Sequence, residues 1–525
     1  GGAFLGLAAS GLGRAAGATL GRVIDSRILG AGSPTVDTGR IDRFRVSGAS
    51  EGTPMAKVHG RARIAGQVIW SSRFLETVTT TGGGGGKGAP SAPKTNAYSY
   101  SISLAVALVD GEITRVGRIW ADGNELSMSD LNMRVYRGTE DQLPDAKIEA
   151  VEGADEAPAY RGTAYVVFED LQLERVGNRV PQFSFEVMRT GEGDLAETIE
   201  AVAMIPGTGE YALATTPVYF QQAPGKTQSA NQHAPSDKTD FSFALQARDE
   251  ELPGCGATSL VVSWFGDDLR CGSCQLKPKV EQTALDGVGQ PWRVSGVDRA
   301  SADVVARVDD RPIYGVTPSD AAVIEAIGAL QSSGKAVMFY PFILMEQLED
   351  NGLVDPWSGA ADQPTLPWRG RITTSLAPGQ GGSPDGTSTA ASEGDAFFGQ
   401  ALASEFQVSG DTVNYTGSDG FTYRRFILHY AHLCALAGGV DSFCIGSEMR
   451  GLTRVRDENS AFPFVEELRS LAAHAKEELG ASCTVTYGAD WSEYFGHHPR
   501  DGSNDVFYNL APLWADPAID AVGID

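Results

Sequence analysis

Apolar and polar positions alternate with a period of two through most of the first 220 residues. The apolar set is rich in β-branched and aromatic types, which predicts strands. "KVHGRARIAGQVIWSSRFLETVTT" (57–80) reads as two strands hinged near Gly66. "YSYSISLAVALVDGEITRVGRIWADGNEL" (98–126) supplies further strands, with Asp-Gly turns at 110–111 and 122–123. "AYRGTAYVVFEDLQL" and "VPQFSFEVMR" carry two more. Between these blocks, "TGGGGGKGAPSAPK" (81–94) lacks the strand-turn-helix setting of a phosphate loop and reads as a flexible loop or hairpin tip. The first 30 residues differ: Gly and Ala recur at three- and four-residue spacings, interrupted by Arg14 and Arg22. That pattern predicts a helical segment whose small-residue face suits packing in an oligomer, or contact with a membrane.

Beyond residue 220 the period lengthens and strands alternate with helices, the signature of parallel α/β architecture. "SLVVSWFG" (259–266) suits a buried first strand and "PIYG" (312–315) a second. "KAVMFYPFIL" follows as the third, "VDSFCIGSE" as the fourth, "CTVTYGAD" as the fifth and "IDAVGID" as the sixth. Helices are expected after "GVTPSD", with Thr317 as cap and Pro318 in the first turn, and over 421–439 and 464–480. The polar stretch "QQAPGKTQSANQHAPSDKTD" (221–240) marks a boundary. The expected organisation is a helical segment over 1–30, a β-rich region over 31–220, a linker over 221–250 and an α/β domain over 251–525. The fold class is multidomain: a mostly-β N-terminal half, then a (β/α)8 TIM-barrel-like domain truncated at about strand six.

Composition narrows the function classes. At 525 residues the chain holds roughly two to four domains. It has no initiator Met and stops inside an expected strand, so it reads as a piece of a longer chain. A formal charge of −25 argues against a nucleic-acid binder, since phosphate affinity needs clustered Lys and Arg, but suits a lumen through which DNA passes unheld. Six cysteines are too few for a disulfide framework. Cys271-Gly-Ser-Cys274, with Cys255 upstream, lacks the second ligand pair of a zinc site, and the adjacent His497 and His498 point in different directions. No metal or cofactor is expected. No run of 18 uncharged apolar residues occurs.

The segment 98–126 resembles the first hub domain of siphophage tail-tip proteins: a tyrosine-rich strand, a Val-Asp-Gly-Glu-Ile turn at 109–113, then another strand. "AYRGTAYVVFEDLQLERVGNRVPQFSFEV" (159–187) resembles the large tail protein of gene transfer agents. The likeness continues through "WFGDDLR" (264–270), "RPIYGVTPSD" (311–320), "FYPFILM" (339–345) and "PWRGRIT" (367–373). It implies a trimeric tail hub or baseplate protein with a glycoside-hydrolase-like barrel, assembled in the cytoplasm and carried at the tip of a phage-like particle. Other tail proteins would be its partners and envelope carbohydrate its target.

Active sites of such barrels lie at the carboxyl ends of the strands. The residues expected there are Trp264, Asp267 and Asp268, then Tyr340, Glu448, Asp490 and Asp525, an acidic and aromatic rim suited to sugars. Trp368, Arg369 and Arg371 in "PWRGRIT" either grip an anionic saccharide or brace a long loop. Glycoside hydrolysis needs two carboxyl groups. The resemblance to barrel glycosidases puts an acid/base glutamate at the end of strand four, the place of Glu448, and a nucleophile at the end of strand seven, outside this sequence; Asp490 is either a second carboxylate across the rim or a turn or helix-cap residue. Ser447 stands where those enzymes carry Asn, and Gly446 excludes the chitinase-type pattern. Three functions compete: a particle hub with an active glycosidase barrel, the same hub with a barrel that only binds carbohydrate or receptor, and a free secreted glycosidase.

Overall fold

A computed structural model describes residues 36–38, 40, 52–81, 95–128, 131–191, 195–207, 209–234, 236–499 and 502–525. The helix expected over 1–30 and most of the glycine-rich loop expected over 81–94 lie outside these residues. The chain divides into two compact units, residues 1–194 with 235–237, and residues 195–234 with 238–525.

The first unit is mostly β. The 16-residue strand Thr95–Asp110 runs through a six-stranded sheet, pairing with Gln67–Ser71, Leu75–Thr81, Val36–Thr38 and Thr163–Gln172, the last of which pairs with Met133–Tyr136. A four-stranded sheet orders Gly60–Ala65, Phe183–Arg189, Arg115–Ala121 and Asn124–Glu125. Period-two alternation puts Ile102, Leu104, Val106 and Leu108 into one core with Ile119, Phe185 and Val187 of the other sheet. The expected hinge at Gly66 separates strands of different sheets. A Cβ there would meet Val106 Cγ1 at 2.3 Å and Phe185 Cε2 at 2.7 Å, so the crossing needs glycine. Asp122-Gly123 forms a tight hairpin with both φ values positive (49° and 84°). Asp110-Gly111 instead carries the chain from one sheet to the other.

The second unit holds a parallel sheet ordered β1 (Ala201–Met204), β2 (Ala257–Gly266), β3 (Ala336–Met345), β4 (Ser442–Ser447), β5 (Thr484–Ala489) and β6 (Gly523–Ile524). Helices α1 (Asp240–Glu251), α2 (Asp320–Ser332), α3 (Tyr423–Leu436) and α4 (Pro463–Leu479) fall between successive strands. This is the repeating order of part of a TIM-like barrel.

The strand count matches the expectation, but one member differs. "PIYG" is not in the sheet: Arg311–Pro312 pairs with Arg307–Val308 in a separate hairpin, and β2 pairs directly with β3 over ten residues. The first strand is 201–204, short and only half-buried, and its helix α1 begins within the stretch expected as linker. The expected linker also carries the antiparallel pair Tyr219–Ala223 and Lys226–Ser229. Helix α2 is capped by Ser319, whose side chain accepts from Ala322 N, while Thr317 donates to the Ser263 carbonyl.

Alternation along β3 separates two faces. Val337, Phe339, Ile343 and Met345 pack beneath the helices with Leu260, Val262 and Trp264 of β2, while Met338, Tyr340, Phe342 and Leu344 line the concave inner face.

Candidate functional site

The inner face and the loops above it enclose a cavity of about 780 Å³. Its charged lining residues are Arg369, Glu448 and Asp525, and they converge at the carboxyl ends of β4 and β6, beside Tyr340 from the middle of β3.

Glu448 owes its position to an irregularity in β4. Cys444 faces Thr486, yet Ser447 faces Gly488, so one extra residue is accommodated in β4 between these pairs. Gly446 sits in the bulge at φ 149°, with the Tyr423 hydroxyl packed where a side chain would stand. Tyr423 is fully buried and donates to the Ile445 carbonyl at 2.7 Å. Glu448 itself holds φ 52°, left-handed backbone that a non-glycine residue occupies at a cost of about 1–3 kcal/mol. Its N–H donates to the Gly488 carbonyl at 2.7 Å, tying the bulge to β5.

Two donors reach one oxygen of that carboxylate. Trp368 Nε1 donates to Oε2 at 2.7 Å and Arg369 Nη2 approaches the same atom at 2.8 Å. Oε1 has no protein partner among the described residues. Arg369 is also fixed from below: Nε donates to the Ser447 carbonyl at 3.1 Å, Nη2 to Ser447 Oγ at 2.8 Å, and the guanidinium lies 3.8 Å from the Phe342 ring centre. The same Nη2 stands 3.8 Å from Asp525 Oδ2, which accepts from the Tyr340 hydroxyl. Burial, then the neighbouring Cys444 and Asp525, push the Tyr340 phenol far up, so it remains a donor. Two carboxylates thus flank one guanidinium.

The structure brings Tyr340, Trp368, Arg369, Glu448 and Asp525 together and places the other expected site residues elsewhere. Trp264 is wholly buried on the helix side, with Nε1 donating to the Tyr430 hydroxyl at 3.0 Å, because its register parity matches Leu260 and Val262. Asp267 accepts from Gln275 N at 2.8 Å and is pushed up by burial. Asp268 is paired with Arg270 at 2.6 Å and held by Gln363 Nε2 at 2.7 Å. Both aspartates build the loop after β2. Arg371 lies 3.5 Å from Asp355 Oδ2 and its carbonyl accepts from Trp357 Nε1, the loop-bracing alternative. Arg369 spends Nε and Nη2 on Ser447 and Glu448, which leaves Nη1 as its donor without a hydrogen bond among the described residues.

Asp490 caps the short turn Trp491–Glu493. Its carboxylate accepts from Ser492 N and Ser492 Oγ, and Glu493 reaches back to Asp490 N at 2.9 Å. It does not line the cavity; Asp525, one strand further on, does. Cys271 and Cys274 are buried thiols pushed up by desolvation, and no group of three or more His, Cys, Asp or Glu able to hold a metal occurs among the described residues. No described helix is long and apolar enough to cross a membrane.

No curated protein matches the chain. Among solved structures, a chain in the virion of a native gene transfer agent (GTA) particle shares 54% identity over 39% of this chain and 44% of that one, with a TM-score of 0.25. This chain therefore matches less than half the length of that virion protein. A GH113 β-mannanase from Alicyclobacillus acidocaldarius shares 14% identity over 62% of this chain and 59% of its own, with a TM-score of 0.28. Another GH113 β-1,4-mannanase shares 13% over 54% and 55%, with a TM-score of 0.26. Residues 421–525, which contain β4, Glu448, β5 and Asp525, match the family described as the GTA TIM-barrel-like domain. From Phe421 to Asp525 the chain carries the TIM-barrel-like domain of gene transfer agents.

Proposed function

We propose that this chain is a tail-hub or baseplate component of a phage-like particle, and that its barrel-like unit engages carbohydrate of the recipient envelope at the Glu448 cleft. The carrying observation is the match of 421–525 to a gene transfer agent domain, since that segment contains the cleft's carboxylates. The 54% sequence identity with a virion protein supports the particle role. The mostly-β first unit, which the tail-tip resemblance reads as a hub module, supports assembly as a homotrimer with other tail proteins around a lumen that DNA crosses unbound. Particles purified from producing cells, probed with antibody against residues 421–525 and imaged with gold label, test the position. Label at one end of the tail supports the proposal; particles without label refute it.

Hydrolysis is a second reading, favoured by the left-handed backbone at Glu448 and by the unpartnered Oε1 facing a cleft that holds a second carboxylate. Reducing ends released from envelope polysaccharide by the chain, and lost in Glu448→Gln, support it. Binding without release in both proteins leaves the cleft as a carbohydrate-binding site.

A further inference from the structure

We infer that the Glu448 cleft takes an uncharged glycan and turns away acidic ones. This rests on the carbohydrate reading of the cleft. Among the described residues its only cationic lining residue is Arg369, whose side chain is 7% exposed. The Nε and Nη2 donors are occupied by Ser447 and Glu448, and the flat face lies on Phe342. A sugar carboxylate or phosphate is best held by two parallel N–H donors, and this guanidinium has given its Nε–Nη2 edge to the protein, leaving only Nη1 for a single-point contact.

Against this one cation stand two carboxylates, with the side chains of Glu448 20% and Asp525 34% exposed. The cleft is therefore net negative, on a chain of charge −25. An acidic sugar would meet like charge within a few ångströms in a partly desolvated space, where charge–charge energies are several times those in water. Neutral hydroxyls find suitable partners. Glu448 Oε1 is an open acceptor, while the Ser263 and Tyr314 hydroxyls line the cavity without a protein hydrogen bond among the described residues. Trp368, 37% exposed and bonded to Glu448, offers an aromatic surface to a sugar ring beside that carboxylate.

The test uses one neutral polysaccharide and the same polymer with its primary hydroxyls oxidised to carboxylates. Affinity electrophoresis of the 525-residue chain is run at fixed ionic strength, because exposed charges are screened over about 8–10 Å at 0.1–0.15 M salt. The expected result is retardation by the neutral polymer and at least tenfold weaker binding to the oxidised one. Glu448→Gln and Asp525→Asn should each narrow that ratio several-fold. Equal or tighter binding of the oxidised polymer overturns the inference while leaving the carbohydrate reading standing. A ratio unmoved by both substitutions also overturns it, because the discrimination would then arise from charge elsewhere on the chain. Retardation by neither polymer removes the carbohydrate reading and this inference with it.

Discussion

Gly446→Ala is expected to be among the most damaging single-methyl additions in the barrel-like unit, and Tyr423→Phe is expected to repair part of the damage. An alanine Cβ at 446 would stand 1.7 Å from the Tyr423 hydroxyl, inside any tolerated contact. The backbone there has φ 149°, a region that L-residues enter at about 1–3 kcal/mol. Overpacking a filled core adds about 1–3 kcal/mol. Together these give a loss of about 4 kcal/mol. Tyr423→Phe alone removes a buried 2.7 Å hydrogen bond and leaves the Ile445 carbonyl unpaired, costing about 2 kcal/mol. With the hydroxyl gone, the next atom of the ring lies 3.1 Å from the new methyl, a tight contact that a small shift relieves. The double variant should therefore lose about 4 kcal/mol rather than 6, a coupling of about 2 kcal/mol. Urea unfolding followed by tryptophan fluorescence suits the measurement, because six of the eight tryptophans lie beyond residue 195. Additivity within about 0.5 kcal/mol would refute the packing argument, and with it the claim that Tyr423 seats the bulge presenting Glu448.

Three further outcomes are expected. Burial, with Arg454 and Arg456 nearby, lowers the His497 imidazole to about 4, so the unfolded chain binds the extra proton between pH 4 and about 6.5. Stability should fall as pH drops through that window, by at most about 3 kcal/mol from this residue, and His497→Gln should flatten the slope of urea midpoint against pH. All six cysteines are buried and unpaired. A thiol-specific chromogenic reagent at pH 8 should titrate none of them rapidly in the native chain and all six in urea; rapid native reaction would contradict their burial. Asp145 is fully buried as the cap of helix Ala146–Glu152, with Arg134 at 2.7 and 3.0 Å and Tyr136 at 2.8 Å. Asp145→Asn should cost about 3 kcal/mol, and faster amide exchange in that helix would report it.

The fold is legible in the sequence where periodicity is long. Helices α3 and α4, expected over 421–439 and 464–480, occupy Tyr423–Leu436 and Pro463–Leu479. Strands β2 to β4 are readable as apolar runs, and β5 (Thr484–Ala489) as β-branched and aromatic residues bounded by turn residues. The first barrel strand escapes notice because it is four residues long and half exposed, so neither alternation nor an apolar run announces it. "PIYG" draws attention through its β-branched and aromatic content, but a Pro at its start removes a ladder donor; only Pro312 joins the hairpin, and Tyr314 and Gly315 line the cavity instead. Helix α1, with almost no amphipathic contrast, carries no helical signal beyond its Thr239 cap.

At the site, chain position identifies Glu448, but its partners come from space. Trp368 and Arg369 are 80 and 79 positions upstream of it, and nothing in "PWRGRIT" indicates that this indole and guanidinium bond to a carboxylate on another strand rather than to a ligand. The choice between Asp490 and Asp525 shows the same limit. Both follow a strand end, and each has the residue type a second carboxylate requires. What separates them is local: "DWSE" sets Asp490 three residues before Glu493, the spacing of a capping box, so backbone N–H groups claim its carboxylate before any cleft can. The Asp525 carboxylate meets the half-buried Tyr340 phenol and an arginine instead. Caps of this kind are readable from residue spacing alone. Applied first, the rule sets Asp490 aside and leaves Asp525 as the rim aspartate to weigh beside Glu448.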